Sequence, residues 1–250
     1  MLNLNRIANA RLEATPFSWA QVGDLFSAED AEALARTYPR DHFKTLTNRG
    51  GEKDYDYDAR SLIRYGGDQV AYAEELSDAW RELATQLLSP EYRAAMSALT
   101  GIDLSTAPLE VNVCHYGPGA SLGPHPDLSD KVVTHILYFN REWHPADGGC
   151  LQVLASCNEI DAVAEVLPTV GNSAVLVRSD NSWHAVSRVV GDCSESRRSV
   201  TVTFYKPGTD SSMWPLDDTT PLHRYEEARV GAGTSSSPWL RSLRRLFTGR

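Results

Sequence analysis

A chain of 250 residues with 42% hydrophobic and 23% charged side chains can bury an ordinary globular core. Its formal charge of −9 disfavours a protein that draws its affinity from nucleic-acid phosphates, which need a basic surface. No run approaches the length of a transmembrane helix and no apolar stretch follows a basic N-terminal segment, so a soluble, cytoplasmic protein is expected.

Residues 1–20 read as an entry strand or arm. A helix follows at Ser27, whose hydroxyl can cap it while Asp30 closes the reciprocal bond and Phe26 packs on Ala31. Leu34 and Tyr38 share its apolar face, and Pro39 stops it. Leu76, Trp80, Leu83 and Leu87 form the stripe of a second helix. Ser89-Pro90 reads as the cap and first turn of a third, which ends at Gly101. These stripes suit packing against the outer face of one sheet. Between the first two helices, residues 45–68 read as a surface loop or hairpin. The sharper reading makes part of it a lid on a functional site, with Tyr57 and Arg60 as the candidates to touch substrate.

From Val111 the pattern changes to strands. Val111–Tyr116 is extended and turns on glycine. Lys131–Asn140, Gly149–Ala155, Ser173–Ser179, Trp183–Val190 and Arg197–Lys206 are short, β-branched or aromatic, and bounded by turn residues. Six such strands suggest a sandwich or jelly-roll. Within them stands His125-Pro126-Asp127. On an extended strand its imidazole and carboxylate face one point, though a turn is the simpler reading of Pro-Asp. His184 supplies a further ligand downstream. Two histidines and a carboxylate that leave other positions open are the ligand set of non-haem Fe(II) oxygenases. His115 and His135 fall on the opposite strand faces and read as packed or surface residues. Cys114, Cys150, Cys157 and Cys193 contain no Cys-x-x-Cys pair and read as buried free thiols of a reducing compartment.

Taken in order, Tyr116, Gly119, His125/Asp127, Ile136-Leu137-Tyr138-Phe139-Asn140, Gly148-Gly149, Trp183-His184 and Arg197–Tyr205 resemble the core of the Fe(II)- and 2-oxoglutarate-dependent oxygenases, nearest the prolyl-hydroxylase-like branch. The resemblance implies a double-stranded β-helix (jelly-roll, cupin-like) core flanked by N-terminal helices on one sheet. It implies Fe(II) held by His125, Asp127 and His184, with 2-oxoglutarate and O2 as cosubstrates. The expected reaction hydroxylates an unactivated C–H bond of a peptidyl, amino-acid or specialised-metabolite substrate and releases succinate and CO2.

The far carboxylate of 2-oxoglutarate needs a guanidinium fork. Alternation favours Arg197, which shares a face with Ser199, Thr201 and Thr203, over Arg198, which shares one with Val200, Val202 and Phe204. Resemblance adds Tyr138 as a cosubstrate-binding tyrosine, and Thr201 falls where a second hydrogen bond would. Tyr116 is a pocket candidate or a half-buried strand tyrosine. Retention of Asp127 favours hydroxylation over the halogenases of the superfamily. An AlkB-like nucleic-acid demethylase is the alternative within the superfamily, but Thr203 and Phe204 stand where its pattern has a second Arg. A catalytically silent jelly-roll that binds a metal or partner is the third reading.

The expected organisation is one oxygenase domain over 1–210, its core at about 108–208, and an extension over 211–250. The extension holds a linker at Gly231–Ser237 and a short basic amphipathic piece at 237–250, suited to docking on its own domain, a partner or an anionic membrane.

Overall fold

A computed structural model describes residues 1–50, 54–211, 213–215 and 218–226. The expected linker and amphipathic segment lie outside them. The N-terminal stretch is not only an arm. A short helix α1 (Leu4–Ala8), capped by Asn3, precedes strand β1 (Trp19–Val22). Helix α2 (Ala28–Arg36) starts at the Ser27 cap, which accepts from the Asp30 amide. The Asp30 carboxylate does not return to the Ser27 backbone as expected. It accepts from the Ser27 hydroxyl and from the N-terminal ammonium of Met1.

Strands β2 (Lys44–Asn48) and β3 (Tyr55–Ile63) pair antiparallel. Helices α3 (Asp78–Leu88) and α4 (Pro90–Thr100) follow with their expected Ser caps, and Gly101 ends α4 at φ 70°. The remaining strands are β4 (Leu109–Tyr116), β5 (Ser121–His125), β6 (Lys131–Tyr138), β7 (Leu151–Leu154), β8 (Ala162–Val166), β9 (Ser173–Val177), β10 (His184–Val186) and β11 (Arg197–Tyr205).

All pairings between these strands are antiparallel, and the sheet runs β1-β9-β6-β11-β4-β3-β5-β10-β7-β8, with β2 beside β3. This is a jelly-roll whose two halves meet at β3. Asp58–Ile63 pairs with β4, while Tyr55 and Asp56 pair with β5.

Two apolar layers follow from strand alternation. Val111, Val113, Leu137, Val200, Val202 and Phe204 face outward and pack with Trp80, Leu83, Leu87, Tyr92 and Met96 of α3 and α4. Ile136, Tyr138, Leu151, Val153 and Leu176 pack between the two halves. The expected placement of the helices on one outer face is therefore observed. Two strands lie where the sequence signal is weak. β8 is alanine-rich, largely exposed and at the sheet edge. β5 contains Gly123 and Pro124, residue types that favour turns, yet it pairs on both sides. Its register with β10 shifts between His184 and Val186, and the proline falls in that irregular stretch.

Candidate active site

Strand register assembles the candidate residues. β5 and β10 run antiparallel with His125 directly opposite His184, and the two rings lie 4.4 Å apart between centroids. Asp127 lies just past the end of β5, not on an extended strand. One ligand atom from each of His125, Asp127 and His184 falls within 4.8 Å of the others, and all three residues are buried. No other such group occurs among the described residues.

The surroundings fix the chemical form of each group. His125 Nδ1 donates to the Gly123 carbonyl at 2.8 Å, and His184 Nδ1 donates to the Ser182 carbonyl at 2.9 Å. A carbonyl can only accept, so in each neutral ring the lone pair sits on Nε2, the form that binds a metal. Asp127 accepts from Lys131 Nζ on Oδ1 and from Thr134 Oγ1 on Oδ2, both at 2.7 Å. Burial alone would raise its pKa. The Lys131 ammonium, the positive charge of the two histidines when they are protonated, and the hydrogen bond from Lys131 outweigh burial and hold the carboxyl well below the usual range.

These residues line a cavity of about 300 Å³ that also takes in Arg197, Ser199, Thr201, Thr203 and Tyr116. Arg197 opens β11 opposite Tyr116. It is 2% exposed, so its charge is held by contacts and not by water. Nε donates to the Gly149 carbonyl at 2.7 Å and Nη1 to Ser199 Oγ at 2.7 Å. The guanidinium carbon stands 4.8 Å from the Tyr116 ring centre and 5.1 Å from that of Tyr138. The Gly148-Gly149 turn makes this possible. Gly148 has φ 68°, and a Cβ there would meet the Arg188 carbonyl oxygen at 2.0 Å. Gly149, at φ 66°, would bring its Cβ within 3.4 Å of Arg197 Cδ.

Tyr138 sits behind Arg197, its ring fully buried and outside the cavity lining. Its hydroxyl is buried and has no hydrogen-bond partner among the described residues. Burial pushes the phenol up to about 12 despite the neighbouring guanidinium. Tyr116 is buried and stacks on Tyr57 at 4.8 Å, so Tyr57 does reach the cavity. Arg60 does not. It is fully buried on the other face of β3, bonded to Ser61 O, Tyr72 O and Asp41. Alternation explains the difference, because residues 57 and 60 point to opposite faces.

Arg198 lies over the Tyr38 ring on the helix side, as alternation predicts. His115 and His135 are fully buried and hydrogen-bonded to Ser196 and Tyr92, away from the cavity. Cys114 and Cys150 are buried thiols, Cys193 is half-buried, and Cys157 is exposed, against expectation. The cavity also contains Glu110, Lys131, Thr134, Tyr205 and Met213. Glu110 and Tyr205 continue the alternation of Asn112-Cys114-Tyr116 and of Arg197–Thr203, which is the signal that could have found them. Met213 comes from a segment that returns over the sheet. Lys44 donates to the Met213 carbonyl and to Asp218, Trp214 Nε1 donates to Asn112 Oδ1 at 2.7 Å, and His223 bridges to Phe43.

Residues 111–205 match the family model of the 2OG-Fe(II) oxygenase superfamily. Solved structures share the fold. A prolyl-4-hydroxylase of Pseudomonas putida is 21% identical with a TM-score of 0.54, over 81% of this chain and 96% of that one. An oxidoreductase of the 2OG-Fe(II) oxygenase family from Burkholderia pseudomallei is 15% identical with a TM-score of 0.53, over 82% and 91%. A prolyl hydroxylase from Trichoplax adhaerens, in complex with a hypoxia inducible factor peptide fragment, is 15% identical with a TM-score of 0.50, over 81% and 88%. No match was found among curated protein sequences.

Proposed function

We propose that this chain, which carries the core of the 2OG-Fe(II) oxygenase superfamily in residues 111–205, hydroxylates an unactivated C–H bond of a peptidyl or small-molecule substrate. 2-Oxoglutarate and O2 are the cosubstrates; succinate and CO2 are released. The observation that carries the reading is the convergence of His125, Asp127 and His184 in one cavity with a buried Arg197.

His125 and His184 would hold Fe(II) through Nε2, and Asp127 through its carboxylate, a hard and borderline donor set that suits ferrous iron. Lys131 and Thr134 orient that carboxylate. The donor set at the cosubstrate end fits as well. Two of the five N–H donors of Arg197 fix its plane, and the guanidinium offers a carboxylate a planar, permanently charged partner. The orphaned Tyr138 hydroxyl is a donor waiting for an acceptor beside that guanidinium. It and Thr201 would complete the grip on the far carboxylate of 2-oxoglutarate, with the Tyr116 ring as a wall. Iron and cosubstrate, once bound, supply the oxidising chemistry. The chain's own contribution is position and a dry pocket.

A cavity of about 300 Å³ is at the small end for a ligand site, and it must hold the cosubstrate too. A substrate that inserts one side chain or one end suits it, whether peptidyl or free. Under air with Fe(II) and 2-oxoglutarate, the purified protein should release succinate. Asp127→Ala should lose both this activity and anaerobic iron uptake while keeping its far-UV circular dichroism. A folded wild-type protein that takes up no iron would refute the reading.

A further inference from the structure

One carboxylate in the cavity has no counter-charge. Glu110 is 1% exposed and lines the same cavity as the candidate metal ligands. Its Oε2 accepts from the Tyr205 hydroxyl at 3.1 Å, and its Oε1 from the Ser211 hydroxyl. Both donors are neutral. Glu110 forms no ion pair among the described residues, and the two cations of the cavity wall are engaged elsewhere. Lys131 bonds Asp127, and Arg197 bonds Gly149 and Ser199. A carboxylate taken out of water without a cation is costly, and two hydroxyl bonds fill only about half of its acceptor sites.

Register places this group relative to the rest. Thr203 of β11 pairs with Thr134 of β6 on one side and with Glu110 of β4 on the other. Thr134 is the residue that bonds Asp127. Glu110 therefore starts two strand spacings, about 10 Å, from the strand position that supports Asp127. Arg197 lies at the opposite end of β11, about 20 Å from Thr203 at ~3.4 Å per residue. The cavity thus has a guanidinium at one end and a carboxylate at the other.

We propose that Glu110 binds a cationic nitrogen, an ammonium or a guanidinium, on the substrate. The proposal rests on the oxygenase reading above and specifies its substrate class. A basic group entering beside Tyr205 would complete the acceptor capacity of Glu110 with charge-assisted bonds. The same carboxylate repels a diacid, so 2-oxoglutarate is directed to the Arg197 end and the two ligands cannot exchange places.

The test begins with the full chain, anaerobic Fe(II) and 2-oxoglutarate. A visible charge-transfer band on adding 2-oxoglutarate reports the oxygenase site independently of any substrate. Succinate formation is then measured with L-arginine and L-lysine, with capped tetrapeptides containing each, and with the citrulline and norleucine counterparts of all four. The expected result is stimulation by cationic members at least tenfold above their neutral counterparts in kcat/KM. Free and peptidyl arms separate the two sources of the cation. In Glu110→Gln, which keeps the side-chain shape, that preference should fall at least tenfold, chiefly through KM. If Glu110→Gln does not fold, the wild-type panel still decides. Stimulation by neutral members as strong as by cationic ones overturns the proposal. So does a charge-transfer band with no cationic member stimulating, which leaves the oxygenase reading intact. Absence of the band removes the reading underneath.

Discussion

Tyr138 carries a buried hydroxyl whose proton has no acceptor among the described residues, beside a guanidinium that lines a cavity. An unsatisfied buried hydroxyl costs about 1–3 kcal/mol, and a hydrogen bond to a charged acceptor returns a similar amount. Tyr138→Phe should therefore leave the melting temperature of the ligand-free protein unchanged or raised. It should also raise the KM for 2-oxoglutarate about tenfold or more. A purely structural tyrosine would show the reverse pattern. Thr134 gives a second residue-scale prediction. Its hydroxyl fixes Asp127 Oδ2, and loss of such an outer partner typically weakens metal binding 10–100-fold. Thr134→Val should do so in an anaerobic Mn(II) titration while succinate formation recovers at saturating metal. Arg197 was legible in the sequence because strand alternation sorts faces locally, whereas His125, Asp127 and His184 were picked out by residue type and spacing, since Asp127 lies past the end of its strand. The partners of Asp127 were less so, since Lys131 and Thr134 reach it only after the chain turns between β5 and β6.

Strands β4 and β6 each bury a histidine against the helical layer. Burial pushes His115 and His135 down to about 3. Unfolded, each would titrate near 6.5. Between those values the unfolded chain binds protons that the folded chain does not, so stability is intact above about 6.5 and falls with pH below it. The slope approaches about 1.4 kcal/mol per pH unit for each histidine. Urea midpoints taken between pH 7.5 and 5 should show a shallower decline in His135→Gln than in the parent. An equal decline would mean that His135 protonates in the folded state. The elements themselves were unevenly legible. α3 and α4 announce themselves by apolar stripes, Ser caps and Gly101. β5 does not, because Gly123 and Pro124 are turn residues and only pairing with β3 and β10 makes the segment a strand. Arg60 shows a third case. The sequence offered it as a lid residue touching substrate, but it satisfies backbone carbonyls beneath the sheet.

For the whole molecule, the segment after β11 matters more than its composition suggests. Buried Lys44 holds it through Met213 and Asp218, Trp214 lies under the Lys44 ammonium at 4.2 Å, and Tyr225 stacks on His115 at 3.8 Å. These contacts join residues far apart in the chain, and no local pattern encodes them. A chain ending at Thr209 should keep its Mn(II) affinity within a few-fold, because Lys131 and Thr134, whose side chains orient Asp127, and the carbonyls that fix the two imidazoles all lie before that point. It should lose cooperativity in thermal unfolding and show weakened coupling of 2-oxoglutarate turnover to substrate oxidation, since Met213 then leaves the cavity lining and Glu110 loses the Ser211 hydroxyl.

Strand β3 hydrogen-bonds to both halves of the jelly-roll, through Asp58–Ile63 to β4 and through Tyr55 and Asp56 to β5. The halves cannot separate around the cavity without straining it, and Tyr57 of the same strand stacks on a cavity wall. Backbone amides of β3 should then act as a gauge of occupancy. Deuterium uptake there should slow when ligands brace the two halves, even though the strand offers none of the proposed iron donors.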